Sequence, residues 1–310
     1  MKQKFQVFSL IALALFQLSI TGNAQQFFKQ HPQINPYQYT VVKEQSFQKA
    51  AVTSAHPLAS MVGAAIMKDG GNAYDAAIAV QFTLAVVYPA AGNIGGGGFL
   101  LSRNKEGVLM GIDFREAAPS KAHRDMYLDE NGNPIDGMSR LGASASGIPG
   151  SVAGMFSTLP FAKMTMKQLL QPAYELAANG FVITESEARS LNAERKNFIT
   201  HSAQASAFTR KENWKAGDTL YQPELAATIL RIQQKGKAGF YEGETADLIV
   251  KEMKNSKGVI SLEDLKNYNP KFRKPIEFDY RGHHIISFAP PSSGGILIAQ
   301  MMQMIAPYPV

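Results

Sequence analysis

The chain contains no cysteine. That absence excludes disulfide staples, thiolate zinc sites, iron–sulfur ligation and a cysteine nucleophile. It also leaves no residue for a lipoprotein-type lipid anchor. The fold must therefore be held by its apolar core, which a chain of 310 residues is long enough to build. Blocks of like charge are missing too. The formal net charge is +6, but acids and bases are interspersed, as in "KENWKAGD" (211–218) and "EMKNSKGVISLEDLK" (252–266). With no basic stripe and no interleaved aromatics, nucleic acid is not an expected partner. Internal repeats and low-complexity linkers are also absent.

Long apolar runs are confined to the beginning. Lys2 and Lys4 precede the apolar stretch Val7–Phe16, and Gly22 and Ala24 stand at −3 and −1 of a cleavage site. That layout predicts a secretory signal peptide over residues 1–24 and an exported chain, with the bacterial periplasm as the expected destination. Its removal takes Lys2 and Lys4 with it and lowers the net charge to +4. No later stretch is long and apolar enough to span a bilayer, so no membrane association is expected after cleavage.

Residues 25–48 are polar, with scattered aromatics and prolines, and read as an N-terminal arm. Beyond them, Leu58, Met61, Val62, Ala65 and Ile66 share one helical face, with Gly70-Gly71 as its stop. A second, small-residue helix closes before Pro89. "FLLSR" and "VLMGIDF" are strands joined by "NKEG" (104–107), a hairpin pattern. Further helices are predicted from "SGIPGSVAGMFSTL", from "TMKQLLQPAYELAANGF" and after Ser261, an N-cap with Asp264 at N3. A second hairpin turns at Arg281-Gly282, and a methionine-rich helix starts near Ile296. Its stripe of Ile298, Met301, Met302 and Ile305 has nothing after it to cover it. The alternation of helices and hairpins predicts a single layered domain of the α+β class.

Glycine is concentrated rather than spread: Gly92 and Gly95–98 give five in seven residues. Such a run sacrifices much chain entropy, so something must need bare backbone there. A phosphate loop is rejected, which leaves close approach of another segment or simply a difficult turn. No Lys-Ser/Thr follows, and the order is helix, glycines, strand, the reverse of a dinucleotide fold. Arg115 ends the strand after the run. A guanidinium there, beside the flexible "EAAPSKA", is suited to gripping a carboxylate with two parallel hydrogen bonds. The residues alone leave an internal pair with Asp113 or Glu116 equally open. His283 and His284 are adjacent on a strand and point to opposite faces, and no metal-ligand spacing occurs elsewhere. Thr200-His201-Ser202 lacks the strand-end setting of a nucleophile and its base.

Seven segments, in order, are "DGGNAYDAAIAV", "GNIGGGGF", "IDFREAAP", "SGIPGSVAG", "QPAYELAANGF", "FYEG" and "DYRGHHIISFAPPSSGG". Together they resemble the large subunit of a bacterial γ-glutamyltranspeptidase (γ-glutamyltransferase), from about Ser46 to Ala306. The resemblance implies an N-terminal-nucleophile hydrolase fold, an αββα sandwich that is incomplete here because the small-subunit part is missing. Residues 49–310 would be the large-subunit region, truncated at its C-terminus. In this family one precursor cleaves itself, and the new N-terminal threonine of the small subunit attacks the γ-glutamyl amide of glutathione or related compounds, with its own α-amine as base. The γ-glutamyl group then passes to water, an amino acid or a peptide, without metal or organic cofactor. Arg115 falls on the family's arginine for the α-carboxylate of the γ-glutamyl donor. The cleavage site, the threonine, the residues for the α-amine and the oxyanion glycines find no match. The resemblance places the nucleophilic threonine downstream of Val310, so no catalytic residue is expected within the chain, and alone it is expected to be inert. The glycine run is expected to face parts of the fold outside this chain. A related acylase of the same fold, and a free-standing periplasmic protein that binds γ-glutamyl compounds, are the alternatives.

Overall fold

The structure is a computed structural model that describes residues 26–309. The expected signal peptide, residues 1–24, lies outside the described residues, as does Val310, the position after which the nucleophilic threonine is expected. The described chain falls into two compact units that alternate along the sequence. One holds residues 26–92, 163–195 and 206–233; the other holds 93–162, 196–205 and 234–309. The single layered domain expected from element order is thus two units. The reason is long-range pairing: segments that complete each unit arrive only after the chain has left it and returned.

The first unit is built on helices Pro57–Lys68, Ala73–Val87 and Met166–Asn179. Asn72 opens the second with a capping box to Asp75, and Thr165 opens the third with one to Gln168. The first is capped less usually, by His56, whose Nδ1 accepts the Leu58 N–H at 3.2 Å. Small residues let the first two helices approach: a Cβ on Gly63 would lie 2.6 Å from Val80 Cγ2. Asp75 is fully buried. Its carboxylate accepts the N–H groups of Asn72 (2.7 Å), Lys163 (3.0 Å) and Met164 (2.8 Å).

The expected N-terminal arm is anchored over its first part. Phe27 and Ile34 are buried. The N–H groups of Phe27 and Phe28 donate to the buried Glu175 carboxylate at 2.8 and 3.1 Å, and the Tyr37 hydroxyl donates to Asn179 O at 2.9 Å. Phe27 and Phe28 sit on a short helix, Gln26–Gln30, which is too brief for hydropathy patterning to register.

The second unit carries the larger sheet. Strands Phe99–Arg103 and Leu109–Asp113 form the expected hairpin, in a register running from Phe99 opposite Asp113 to Arg103 opposite Leu109. A third strand, Lys271–Arg273, pairs antiparallel to Leu109–Asp113. Gly111 permits that approach, since a Cβ there would lie 2.8 Å from Arg273 O. The second hairpin, Ile276–Tyr280 with His283–Ser287, turns through Arg281 and Gly282 at φ of 46° and 78°. Helices Ser151–Thr158, Gly243–Asn255 and Leu262–Asn267 belong to this unit, the last opened by the expected Ser261–Asp264 capping box. The helix Gly294–Ile305 leaves Ile298, Met301, Met304 and Ile305 between 37% and 73% exposed. Among the described residues, no helix is long and apolar enough to cross a membrane.

Candidate functional site

None of Gly92 and Gly95–98 has positive φ, and at Gly92, Gly96, Gly97 and Gly98 a Cβ would meet another atom at 3.0 Å or less, so these positions serve close approach and not turn geometry. A Cβ on Gly97 would lie 2.5 Å from Phe114 O, 2.7 Å from Glu116 N and 2.9 Å from Arg115 C. Backbone atoms cannot yield to such an intrusion as the end of a flexible side chain can. Gly98 and Phe114 exchange backbone hydrogen bonds of 3.3 and 3.0 Å across the same contact. Gly96 O accepts the N–H groups of Gly150 (2.8 Å) and Ser151 (3.0 Å) at the opening of the Ser151–Thr158 helix. The expectation that the run faces parts outside this chain is corrected at Gly97 and Gly98: they pack on the segment that carries Arg115. A Cβ on Gly150 would collide with Phe114 O and the Tyr268 hydroxyl, and one on Gly154 with the Phe114 ring. Two of the segments singled out in the sequence, the glycine run and the one holding Gly150 and Gly154, therefore converge on a third at Phe114–Glu116.

Arg115 lies just beyond the strand end, with its side chain exposed. Its peptide groups are held on both sides. The Arg115 N–H donates to Asp113 Oδ1 at 3.1 Å, and the Tyr268 hydroxyl donates to Arg115 O at 2.7 Å. Asp113 is buried, and its other oxygen, Oδ2, pairs with Arg273 Nε at 2.7 Å. The internal pair left open by the sequence is not made. Among the described residues, no carboxylate stands within ion-pair distance of the Arg115 guanidinium.

Two clefts meet at this residue. One, of about 560 Å³, is walled by Gly95, Gly96, Arg115, Glu116 and Tyr127 among others. The other, of about 340 Å³, is walled by Asp113, Arg115, Glu116, Tyr268, Lys271 and Arg273. A free guanidinium at the wall of both can receive a carboxylate, and the glycine edge leaves room for it.

Tyr268 is buried, and its ring stacks on Tyr241 at a centroid distance of 6.0 Å and an interplanar angle of 5°. Burial, followed by the charges of Asp113 and Glu116, pushes its phenol well above the ordinary tyrosine value, so it remains a donor. The Tyr241 hydroxyl donates to Pro149 O at 2.8 Å and accepts the Ala153 N–H at 3.1 Å. Lys237 Nζ donates to Tyr268 O at 2.8 Å, and burial pulls its ammonium below the ordinary lysine range.

Reading the sequence alone singled out Arg115 but missed Tyr268 and Arg273. Both lie in "NYNPKFRKP", where the only local signal is a pair of prolines bracketing an apolar residue between cations. Nothing local marks a strand that joins a sheet some 160 positions earlier. The other candidates do not assemble. Thr200, His201 and Ser202 are exposed around the end of the Glu185–His201 helix, with no hydrogen bond between them. His284 bonds Asp279 at 2.9 Å and Glu277 at 3.1 Å, which raises its pKa. Among the described residues, no group of three or more acidic, histidine or cysteine side chains is placed to hold a metal.

The gamma-glutamyltranspeptidase family model matches residues 59–310. The glutathione hydrolase proenzyme of Pseudomonas sp. (strain A14) is 43% identical over 266 residues, which is 85% of this chain and 46% of that protein. The glutathione hydrolase proenzyme of Escherichia coli (strain K12) is 43% identical over 261 residues, 83% of this chain and 45% of that protein. This chain thus spans about half the length of these curated relatives. Among solved structures, the gamma-glutamyltranspeptidase of Helicobacter pylori superposes with a TM-score of 0.81 at 42% identity, covering 85% of this chain and 76% of that one. The mixed α+β fold is accordingly of the N-terminal-nucleophile hydrolase type. With a family match over most of its length and relatives at this identity, the chain belongs to the gamma-glutamyltranspeptidase family.

Proposed function

We propose that this chain is the large-subunit portion of a γ-glutamyltransferase/glutathione hydrolase precursor, and that Arg115 binds the α-carboxylate of the γ-glutamyl donor. The observation that carries the reading is an arginine without an ion-pair partner, at the wall of two clefts, while the buried Asp113 carboxylate is occupied by Arg273. Its bidentate hold would fix the donor so that its γ-amide carbon faces the nucleophile. In the proposed reaction an N-terminal threonine of the small subunit, downstream of Val310 in the precursor and freed by self-cleavage, attacks that carbon, and its α-amine takes the hydroxyl proton. The amine product leaves with a proton, and a γ-glutamyl–threonine ester remains. Water, an amino acid or a peptide then takes the γ-glutamyl group and restores the threonine. The proposed setting is the bacterial periplasm, reached through the signal peptide at residues 1–24.

The test is R115A in the complete precursor. We expect KM for a γ-glutamyl anilide to rise about 100-fold, the loss of two charge-assisted hydrogen bonds. An unchanged KM overturns the assignment. The 310-residue chain alone is expected to release no anilide; turnover by it would overturn the placement of the nucleophile beyond Val310.

A further inference from the structure

An exposed arginine two positions from a buried aspartate is a ready candidate to pair with it. Arg115 does not do so, and the contacts around it show why. Asp113 commits Oδ1 to the Arg115 N–H and Oδ2 to Arg273 Nε. Its remaining capacity faces a protein interior in which it is only 7% exposed. On the other side of the Arg115 Cα, the carbonyl is taken by the Tyr268 hydroxyl. Gly97 presses against the same peptide from a third direction. The backbone of Arg115 is thus fixed at its N–H, at its C=O and on one face, while its guanidinium is left unpaired.

We propose that Tyr268, Asp113 and Arg273 form a clamp of positioning residues that holds Arg115 ready for a carboxylate. Within the clamp, Arg273 neutralises Asp113 so that Asp113 does not capture the Arg115 guanidinium. This inference rests on the proposed role of Arg115 as the carboxylate-binding residue. The partners suit these roles. Tyr268 is buried and protonated, stacked on Tyr241, with its carbonyl held by Lys237. Arg273 stands on a strand whose register places it opposite Gly111, two residues from Asp113 on the neighbouring strand. Its charge is therefore delivered by sheet pairing and not by a mobile loop. An Arg–carboxylate pair that loses its cation leaves a buried anion, and such an anion recruits the nearest available one. Two cations then flank Asp113, Arg115 two positions along the chain and Lys271 opposite it on the paired strand, and capture of Arg115 is the outcome the clamp prevents.

The experiment is steady-state kinetics on the complete precursor after self-cleavage, with a γ-glutamyl anilide as donor and four variants beside R115A. R273Q is expected to raise KM about tenfold, with kcat changed by less than about twofold, because Asp113 now competes for Arg115. Adding D113N to R273Q removes the competing charge while keeping an oxygen for the Arg115 N–H, and is expected to bring KM back to within about twofold of wild type. Y268F keeps the ring stack, loses the bond to Arg115 O, and is expected to raise KM about fivefold. In an R115A background, Y268F should add nothing, since a positioning residue has nothing left to position. A general packing defect would lower kcat as well and would not be relieved by D113N.

If R115A leaves KM unchanged, both the function reading and the clamp fall. If R115A raises KM while R273Q and Y268F do not, the clamp alone is overturned. An R273Q defect that D113N fails to relieve, or a Y268F effect that persists in R115A, also overturns it. Should R273Q fail to accumulate, Y268F and its combination with R115A decide the matter.

Discussion

Asp75 in the first unit and Asp113 in the second are both buried carboxylates, each met by a different kind of partner. Asp75 is met by backbone N–H groups, one from Asn72 and two from the Lys163–Met164 segment, 88 and 89 positions on. Asp113 is met by one backbone N–H and one guanidinium. Amides of the main chain cannot leave or be exchanged without unfolding a segment, so Asp75 serves architecture. A guanidinium can be lost or replaced by another, and a second one stands two residues away at Arg115. The carboxylate that holds the fold is given partners that cannot compete. The one beside the cleft is given a partner whose identity decides what a neighbouring arginine is free to do.

The sharpest way to break this comparison is D75A. It strips the acceptor from three backbone donors and is expected to cost about 4 kcal/mol in denaturant unfolding, with loss of hydrogen-exchange protection in the Ala73–Val87 helix. A loss below about 1 kcal/mol would show that these amides find other acceptors and that Asp75 is not architectural. G150A tests the second unit. Its Cβ collides with Phe114 O and the Tyr268 hydroxyl, and about 2 kcal/mol of destabilisation is expected, with exchange loosening around 112–117 while the amides near Asp75 keep their protection. Unaltered stability would mean that the close packing on Phe114–Glu116 is relaxed in solution.

The smallest effect concerns Glu187 in the first unit, which pairs with His56 Nε2 at 2.9 Å. Burial alone would raise its carboxyl; hydrogen bonds from His56 and from the N–H and hydroxyl of Thr184 outweigh burial and leave it below its ordinary value. As pH falls, the unfolded chain therefore takes up this proton first. The stabilisation is complete above the ordinary glutamate value near 4.5 and is lost as pH drops through the lower folded value. E187Q should cost about 1 kcal/mol at neutral pH, and its deficit should vanish in acid. A pH-independent deficit would assign the effect to shape and not to charge.

Much of the helical framework was legible because it is written locally. Ser261 with Asp264 is a cap separated by three residues that was read in advance and forms in the structure; the structure adds Asn72 with Asp75 and Thr165 with Gln168 at the same spacing. Both hairpins were readable for the same reason. Arg115 stood out because a cation closing an apolar strand is a local anomaly. The rest depends on partners far along the chain. Lys271–Arg273 has no alternation of its own and becomes a strand only by pairing with Leu109–Asp113. Tyr268 meets Arg115 across 153 positions. The glycine run was seen but its neighbour was misjudged, since nothing in a row of glycines says which backbone will lie against them.

Glu175 carries a further consequence, one of timing. The N–H groups of Phe27 and Phe28 wait for a carboxylate 148 and 147 positions downstream. A ribosome adding about 5–20 residues per second needs roughly 7–30 s to make that stretch. Throughout that interval the Phe27 ring, buried in the finished protein, has no docking place. The beginning of this chain is made early and finished late, and whatever shields nascent apolar residues has a long duty there.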